Sequence, residues 1–143
     1  MTKYIEENIM ERNTMVDDKD VISFPGGIPG FENSHRFVIL SSEEYQPFHW
    51  LQCIDGEDIR FAIINPLVVK PDYEPKMGKA ELESLRLSHP DDLLLYVIVT
   101  LKTPLKESTA NFLGPLFVNV KERVGKQIII DDKRYSLRER IIS

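Results

Sequence analysis

Along most of the chain, apolar residues fall in short runs separated by turn-forming residues: Val21 to Phe24, Arg36 to Leu40, Phe48 to Ile54, Arg60 to Ile64, Leu93 to Leu101, Leu116 to Val120 and Gln127 to Ile130. Runs this short, rich in β-branched and aromatic residues and bounded by Gly, Pro, Asp and Asn, predict strands. Their spacing predicts an all-β sandwich or barrel, and no internal repeat points to a propeller or solenoid. Asp55-Gly56-Glu57-Asp58 falls between two runs, and Asp131-Asp132-Lys133-Arg134 falls between Ile130 and Tyr135, as hairpin loops would. Leu93 to Leu101 is almost continuously apolar, which predicts a central strand covered on both faces, introduced by the turn His89-Pro90-Asp91-Asp92. Pro66 and Pro71 bracket Leu67 to Val69, predicting an edge strand or extended connector. Helical spacing of Ala80, Leu82 and Leu85 predicts one short helix over Lys79 to Leu85. The expected fold is therefore all-β: a small antiparallel barrel-like domain with little helix.

One loop breaks the pattern. Phe24-Pro25-Gly26-Gly27-Ile28-Pro29-Gly30-Phe31-Glu32 combines glycines, which tolerate positive φ, with prolines, which fix φ near −65°. A flexible linker of this glycine content is normally polar, so Phe24, Ile28 and Phe31 either plug the core or offer an apolar surface to a partner.

A length of 143 residues predicts a single domain spanning the chain, with residues 1–20 as an N-terminal segment placed as an edge strand. A domain of this size buries roughly 70% of the surface of its unfolded chain. Cys53 is the only cysteine, so no intrachain disulfide forms, and a reducing compartment is expected. Met1 to Asn13 lacks the basic-then-apolar pattern of a signal peptide, and Leu93 to Val99 falls far short of the roughly 20 residues of a membrane helix. No membrane association is expected. The net charge of −5 repels phosphate backbones and favours basic partners, although it also serves solubility alone. Direct nucleic-acid binding is not expected.

Nothing in the chain composes a catalytic or metal site. On an extended strand His49 and Cys53 share a face but stand ~13 Å apart, too far for a thiolate–imidazole contact. A metal on His49, Cys53 and Asp55 needs a bulge and a fourth ligand, and no recognised ligand spacing is present. His35 and His89 stand in polar or turn contexts. The pairs Asp17-Asp18, Glu43-Glu44, Asp91-Asp92 and Asp131-Asp132 read as solvated turns, since acid–base work requires burial to separate their proton affinities. Gly26-Gly27 and Gly30 lack the lysine and helix start of a phosphate loop, and there is no nucleophile elbow. The chain is not expected to be an enzyme, nor to carry a cofactor or metal.

A second distinctive block is Thr109-Ala110-Asn111-Phe112-Leu113-Gly114-Pro115-Leu116-Phe117-Val118-Asn119, followed by Gly125-Lys126-Gln127-Ile128-Ile129-Ile130. Taken in order with Phe24 to Glu32, Pro47-Phe48 through Leu51-Gln52, and Phe61 through Asn65-Pro66, it resembles the bacterial flagellar assembly factor FliW family. The resemblance runs from about Val21 to Ile130. It implies a cytoplasmic, non-enzymatic protein with a small barrel-like fold and two alternating partners. One is newly made flagellin; the other is CsrA, the carbon storage regulator that represses translation of flagellin messenger RNA. Secretion of flagellin then frees the protein to capture CsrA and lift repression. Two features depart from the family pattern: Met1 to Asp20 has no glycine where members usually carry a glycine-containing strand turn, and Asn111-Phe112 stands where Asn-Leu is usual.

Within that implication, Ile28, Phe31, Phe112 and Asn111 are the candidate flagellin-binding residues, because disordered terminal segments that later become helices need an exposed apolar groove. Each apolar candidate is equally suited to the domain's own core, and Asn111 either satisfies backbone groups in the turn before Pro115 or faces a partner. Glu32, Glu43, Glu44, Asp55, Glu57 and Asp58 are candidates for an acidic face that steers the basic CsrA and discourages RNA. Gln52 and Gln127 hydrogen-bond each other, a neighbouring strand or a ligand. The alternative reading is a barrel that holds a small apolar ligand in a cavity lined by residues such as Trp50 and Tyr96.

Overall fold

The computed structural model describes residues 18–142. Residues 1–17, which carry most of the expected N-terminal edge strand, lie outside the described residues; Asp18–Asp20 form a single 3-10 turn. The strands are β1 (Ile22–Ser23), β2 (Arg36–Leu40), β3 (Phe48–Cys53), β4 (Arg60–Ile64), β5 (Leu93–Thr100), β6 (Thr109–Ala110), β7 (Leu116–Asn119), β8 (Val124–Gln127) and β9 (Glu139–Arg140). The pairing order β4-β3-β2-β1-β8-β7-β5 returns to β4, which closes a barrel of seven strands. Strands β6 and β9 extend from the far end of β5. All pairings are antiparallel except β1 with β8, which meet in parallel at Ser23 and Val124.

Alternation along each strand sorts side chains between the barrel interior and its outer coat, as the two-residue period of a pleated strand requires. Phe37, Leu51, Cys53, Ile63, Tyr96, Leu116 and Val118 point inward, where they join Phe24 and Ile28 from the glycine–proline loop. The intervening residues Ala62, Ile64, Val97 and Val99 face outward and are covered by Tyr73, Phe112 and the C-terminal Tyr135 and Ile141. Outside β7 and β8, Leu85 packs with Phe117, Val124 and Ile128. Strand β5 is thus covered on both faces over Tyr96 and Val97, in keeping with its continuous apolar run.

Two helices are short: α1 (Pro66–Val69) and α2 (Lys79–Ser84). The second matches the predicted span, ending where Leu85 turns into the core. The first corrects the extended segment expected over Leu67 to Val69. Asn65 accepts the Leu67 N–H at 3.0 Å, and Pro66 occupies the first helical turn, where its missing N–H costs nothing, so the prolines start a helix instead of bounding a strand. The hairpin expected across Asp131 to Arg134 is also absent: Asp132 caps the Arg134 N–H at 3.0 Å, and Tyr135 leaves to stack on Tyr73 instead of pairing with Ile130. The short strands β6 and β9 carry no apolar run that announces them.

Candidate functional site

The glycine–proline loop divides its apolar residues between core and surface. Gly27 N–H donates to Phe24 O at 2.8 Å, Phe31 N–H donates to Ile28 O at 2.6 Å, and the turns use Gly27 at φ +68 and Gly30 at φ +91. A Cβ on Gly27 would stand 2.8 Å from Glu32 Cα, so only glycine lets the two arms of the loop close on each other. Phe24 and Ile28 are buried. Phe31 remains half-buried and meets Phe61 edge-on, with ring centroids 5.3 Å apart.

Beside Phe31 a groove of about 570 Å³ opens at the end of the barrel. Its wall combines Ile28, Pro29 and Phe31 from the loop with Phe61 and Ile98 from the barrel, and its far side is made by Asn111, Gln127, Ile129 and Leu137. Three of the four flagellin-binding candidates, Ile28, Phe31 and Asn111, therefore share one site, although Ile28 is 2% exposed and offers little surface. Phe112 belongs elsewhere. It is fully buried in the outer coat, where its ring stands edge-on to Tyr73 at 4.9 Å and its carbonyl accepts the Tyr73 hydroxyl at 2.7 Å. Burial holds the Tyr73 hydroxyl protonated, with the charges of Tyr135 and Asp132 acting in the same direction. Phe112 is a core residue, and its candidacy as a groove wall is corrected accordingly.

Asn111 has a structural duty within the groove wall: its Oδ1 accepts the Leu113 N–H at 3.0 Å, shaping the turn before Pro115. Gln127 and Gln52 do not meet. Gln127 Nε2 donates to Gly114 O at 2.9 Å, whereas Gln52 Nε2 reaches Cys53 O, Ile59 O and Asp58 Oδ1. Ile129 and Leu137 are two of the groove residues that sequence reading missed. They are 66% and 60% exposed. The uninterrupted Ile128-Ile129-Ile130 held the signal, because in a strand alternate members of such a run must face opposite ways.

The acidic candidates do not form one face. Glu43 and Glu44 lie in the 3-10 turn between β2 and β3, whereas Asp55, Glu57 and Asp58 lie in the β3–β4 turn at the other end of that meander. A six-residue strand such as β3 spans about 20 Å, which separates the two groups. Glu32 sits with the second group, since the Asp55 carboxylate accepts the His35 N–H at 3.1 Å and Gly56 packs against Ser34. This acidic end is also the groove's end, because Phe31 and Glu32 are neighbours in the chain and Phe61 follows the β3–β4 turn. All six carboxylates are exposed. Partial desolvation raises the proton affinity of Asp55, but the backbone N–H groups of Arg36 and His35, the Cys53 thiol and the charge on His35 outweigh it and hold the carboxyl below its ordinary value.

His49 and Cys53 fall apart as the strand geometry requires. The Cys53 thiol donates to Asp55 Oδ1 at 3.4 Å, while His49 Nδ1 lies 2.6 Å from Ser41 Oγ with its ring edge-on to Tyr96. Burial lowers the His49 pKa and raises that of Tyr96. Among the described residues no group of three or more His, Cys, Asp or Glu is placed to hold a metal ion, and no helix is long and apolar enough to cross a membrane. Trp50 and Tyr96 do not line one chamber: Tyr96 is part of the barrel filling, and Trp50 packs in the outer coat.

These features describe a closed, side-chain-filled barrel with a surface groove between the glycine–proline loop and a sheet edge. A family model described as FliW protein matches residues 6–141, so the chain belongs to the FliW family. It is 39% identical over 123 residues to a flagellar assembly factor FliW of Caldicellulosiruptor saccharolyticus, covering 86% of this chain and 80% of that protein. To the flagellar assembly factor FliW of Thermoanaerobacter pseudethanolicus it is 40% identical over 124 residues, covering 86% and 83%. A crystal structure of the flagellar assembly factor FliW superposes with a TM-score of 0.84 at 35% identity, covering 90% of this chain and 89% of that one.

Proposed function

We propose that this chain is a cytoplasmic, non-enzymatic flagellar assembly factor that binds flagellin in the groove beside Phe31. Free of flagellin, it sequesters CsrA and so relieves repression of flagellin translation. The observation that carries the reading is the groove itself. It sets Phe31 on one side and the exposed side chains of Ile129 and Leu137 on the other, so that apolar groups face solvent across the groove. Such groups are costly to leave bare and are the usual mark of a protein-binding surface. The names carried by the relatives support the flagellar role.

Glu32, Asp55, Glu57 and Asp58 crowd the same end of the barrel, and the chain's net charge of −5 attracts a basic RNA-binding partner while repelling phosphate. With acidic loop and groove adjoining, occupancy by one partner obstructs the other. Overlap is therefore the simplest source of their alternation, and it requires each to weaken the other equally. The test is calorimetric titration of flagellin into wild-type protein and into Phe31→Ser and Ile129→Ser. We expect at least about a tenfold loss of affinity in each folded variant, as for central interface residues; unchanged affinity in both removes the groove from the account.

A further inference from the structure

From Lys126 to Ile130, the stretch that continues strand β8 beyond its bridge to β1 is paired on one side only among the described residues. Ile128 N–H donates to Pro115 O at 3.0 Å and Ile130 N–H to Leu113 O at 2.9 Å. In an antiparallel ladder alternate residues turn their N–H and C=O to opposite sides, so Gln127 and Ile129 direct theirs away from this partner. On that far side, β1 meets β8 only at Ser23 and Val124. Beyond that bridge, no strand among the described residues pairs with Gln127 or Ile129, and both line the groove.

Proteins normally shield such an edge with lysine, proline or a covering loop. Here the edge residue is Ile129, 66% exposed, and across the groove stands Leu137, 60% exposed. The charged residues that line the groove are Lys102 and Arg138, both cations in a chain of net charge −5. Backbone groups with no strand partner among the described residues, set beside the apolar side chain of Ile129, match an extended peptide. A helix satisfies its own backbone and leaves such an edge bare.

We infer that the groove receives its partner as an added strand: a short extended segment of flagellin pairs its backbone with Gln127 and Ile129. It lays an apolar side chain between Phe31 and Leu137 and sets an acidic side chain against Lys102 and Arg138. This inference rests on the reading of the groove as the flagellin site, and it adds the conformation and charge of the bound segment. It assigns β8 a free edge kept for intermolecular pairing.

Amide hydrogen exchange of the full-length protein, followed residue by residue by NMR with and without saturating monomeric flagellin, tests it. We expect exchange at Gln127 and Ile129 to slow at least about tenfold on binding, with Ile128 and Ile130 protected in both states as internal references. Flagellin that binds without slowing either amide overturns the added strand and leaves the flagellin reading standing. Flagellin that does not bind at all overturns both. In parallel, the double variant Lys102→Glu, Arg138→Glu is expected to bind flagellin about tenfold more weakly at low salt, with the difference shrinking at high salt. Equal affinity of variant and wild type overturns the acidic character assigned to the segment.

Discussion

Gly125 lies against the tip of the Phe24 ring, so close that a Cβ built on the glycine would stand 2.5 Å from Phe24 Cζ. The contact seats the start of the glycine–proline loop against β8, next to the Ser23–Val124 bridge between β1 and β8. Phe24 is fully buried and meets Phe37 edge-on at 5.2 Å, so its ring has little room to withdraw.

Gly125→Ala is therefore expected to destabilise the protein by about 1–3 kcal/mol, the usual cost of overpacking a filled core. Phe24→Leu in the same chain should recover part of that loss. Urea unfolding of the two single variants and the double variant measures the coupling; strictly additive effects contradict the contact.

Phe112 and Phe31 separate core from surface. Phe112→Ser removes a fully buried ring and orphans its packing on Tyr73, with an expected loss of about 3–5 kcal/mol. Phe31→Ser, at a half-buried position, should cost about 1 kcal/mol and leave a cooperative transition. Thermal unfolding of both variants decides; equal losses contradict the division of the loop and block into core and groove residues.

Two groups set distinct pH windows. The folded-state pKa of His49 is lowered from 6.5 by burial, so the unfolded chain binds more protons and stability is lost as pH falls below about 6.5. The carboxyl of Asp55 lies below 3.8: desolvation opposes this, and the hydrogen bonds from Arg36, His35 and Cys53 prevail. Its contribution is present above that pH and is lost as pH falls through its folded value. Urea midpoints measured across pH 8 to 3 should fall less for His49→Gln between about pH 7 and 5, and less for Asp55→Asn only below about pH 4. Parallel curves for wild type and both variants contradict these assignments.

The division of the acidic residues between two barrel ends gives a charge test. Glu32→Lys with Glu57→Lys, at the groove end, is expected to slow CsrA association about tenfold at low salt, while Glu43→Lys with Glu44→Lys, at the far end, has a smaller effect. Stopped-flow rates at low and high salt compare the pairs. Equal slowing by both pairs shows that only net charge matters, and contradicts a local acidic site.

The strands of the barrel were legible because each seals the same interior with alternate residues, so Phe37, Leu51, Ile63, Tyr96 and Leu116 leave a periodic trace. Thr109–Ala110 and Glu139–Arg140 leave none: they are two residues long and owe their pairing to neighbours already in place. Likewise Leu67 to Val69 read as extended until the Asn65 cap is seen to start a helix. Half of the site was legible for a similar reason. The glycine–proline loop announces itself locally, but Ile129 and Leu137 join it only through folding: the run Ile128-Ile129-Ile130 implies that one member faces outward without saying which, and nothing adjacent in sequence marks Leu137 as exposed. Phe112 misled because a ring beside Asn111 and Gly114 reads as a loop residue, whereas the Tyr73 hydroxyl and ring draw it into the coat.

The most direct measurement is a displacement titration: the complex of this protein with purified CsrA is formed first, then monomeric flagellin is added and free CsrA is followed by calorimetry and size-exclusion chromatography. Flagellin is expected to release CsrA completely at saturation, and the CsrA complex alone to weaken as salt rises. A stable ternary complex at saturating flagellin contradicts overlapping sites, and failure to bind either protein contradicts the proposed function itself.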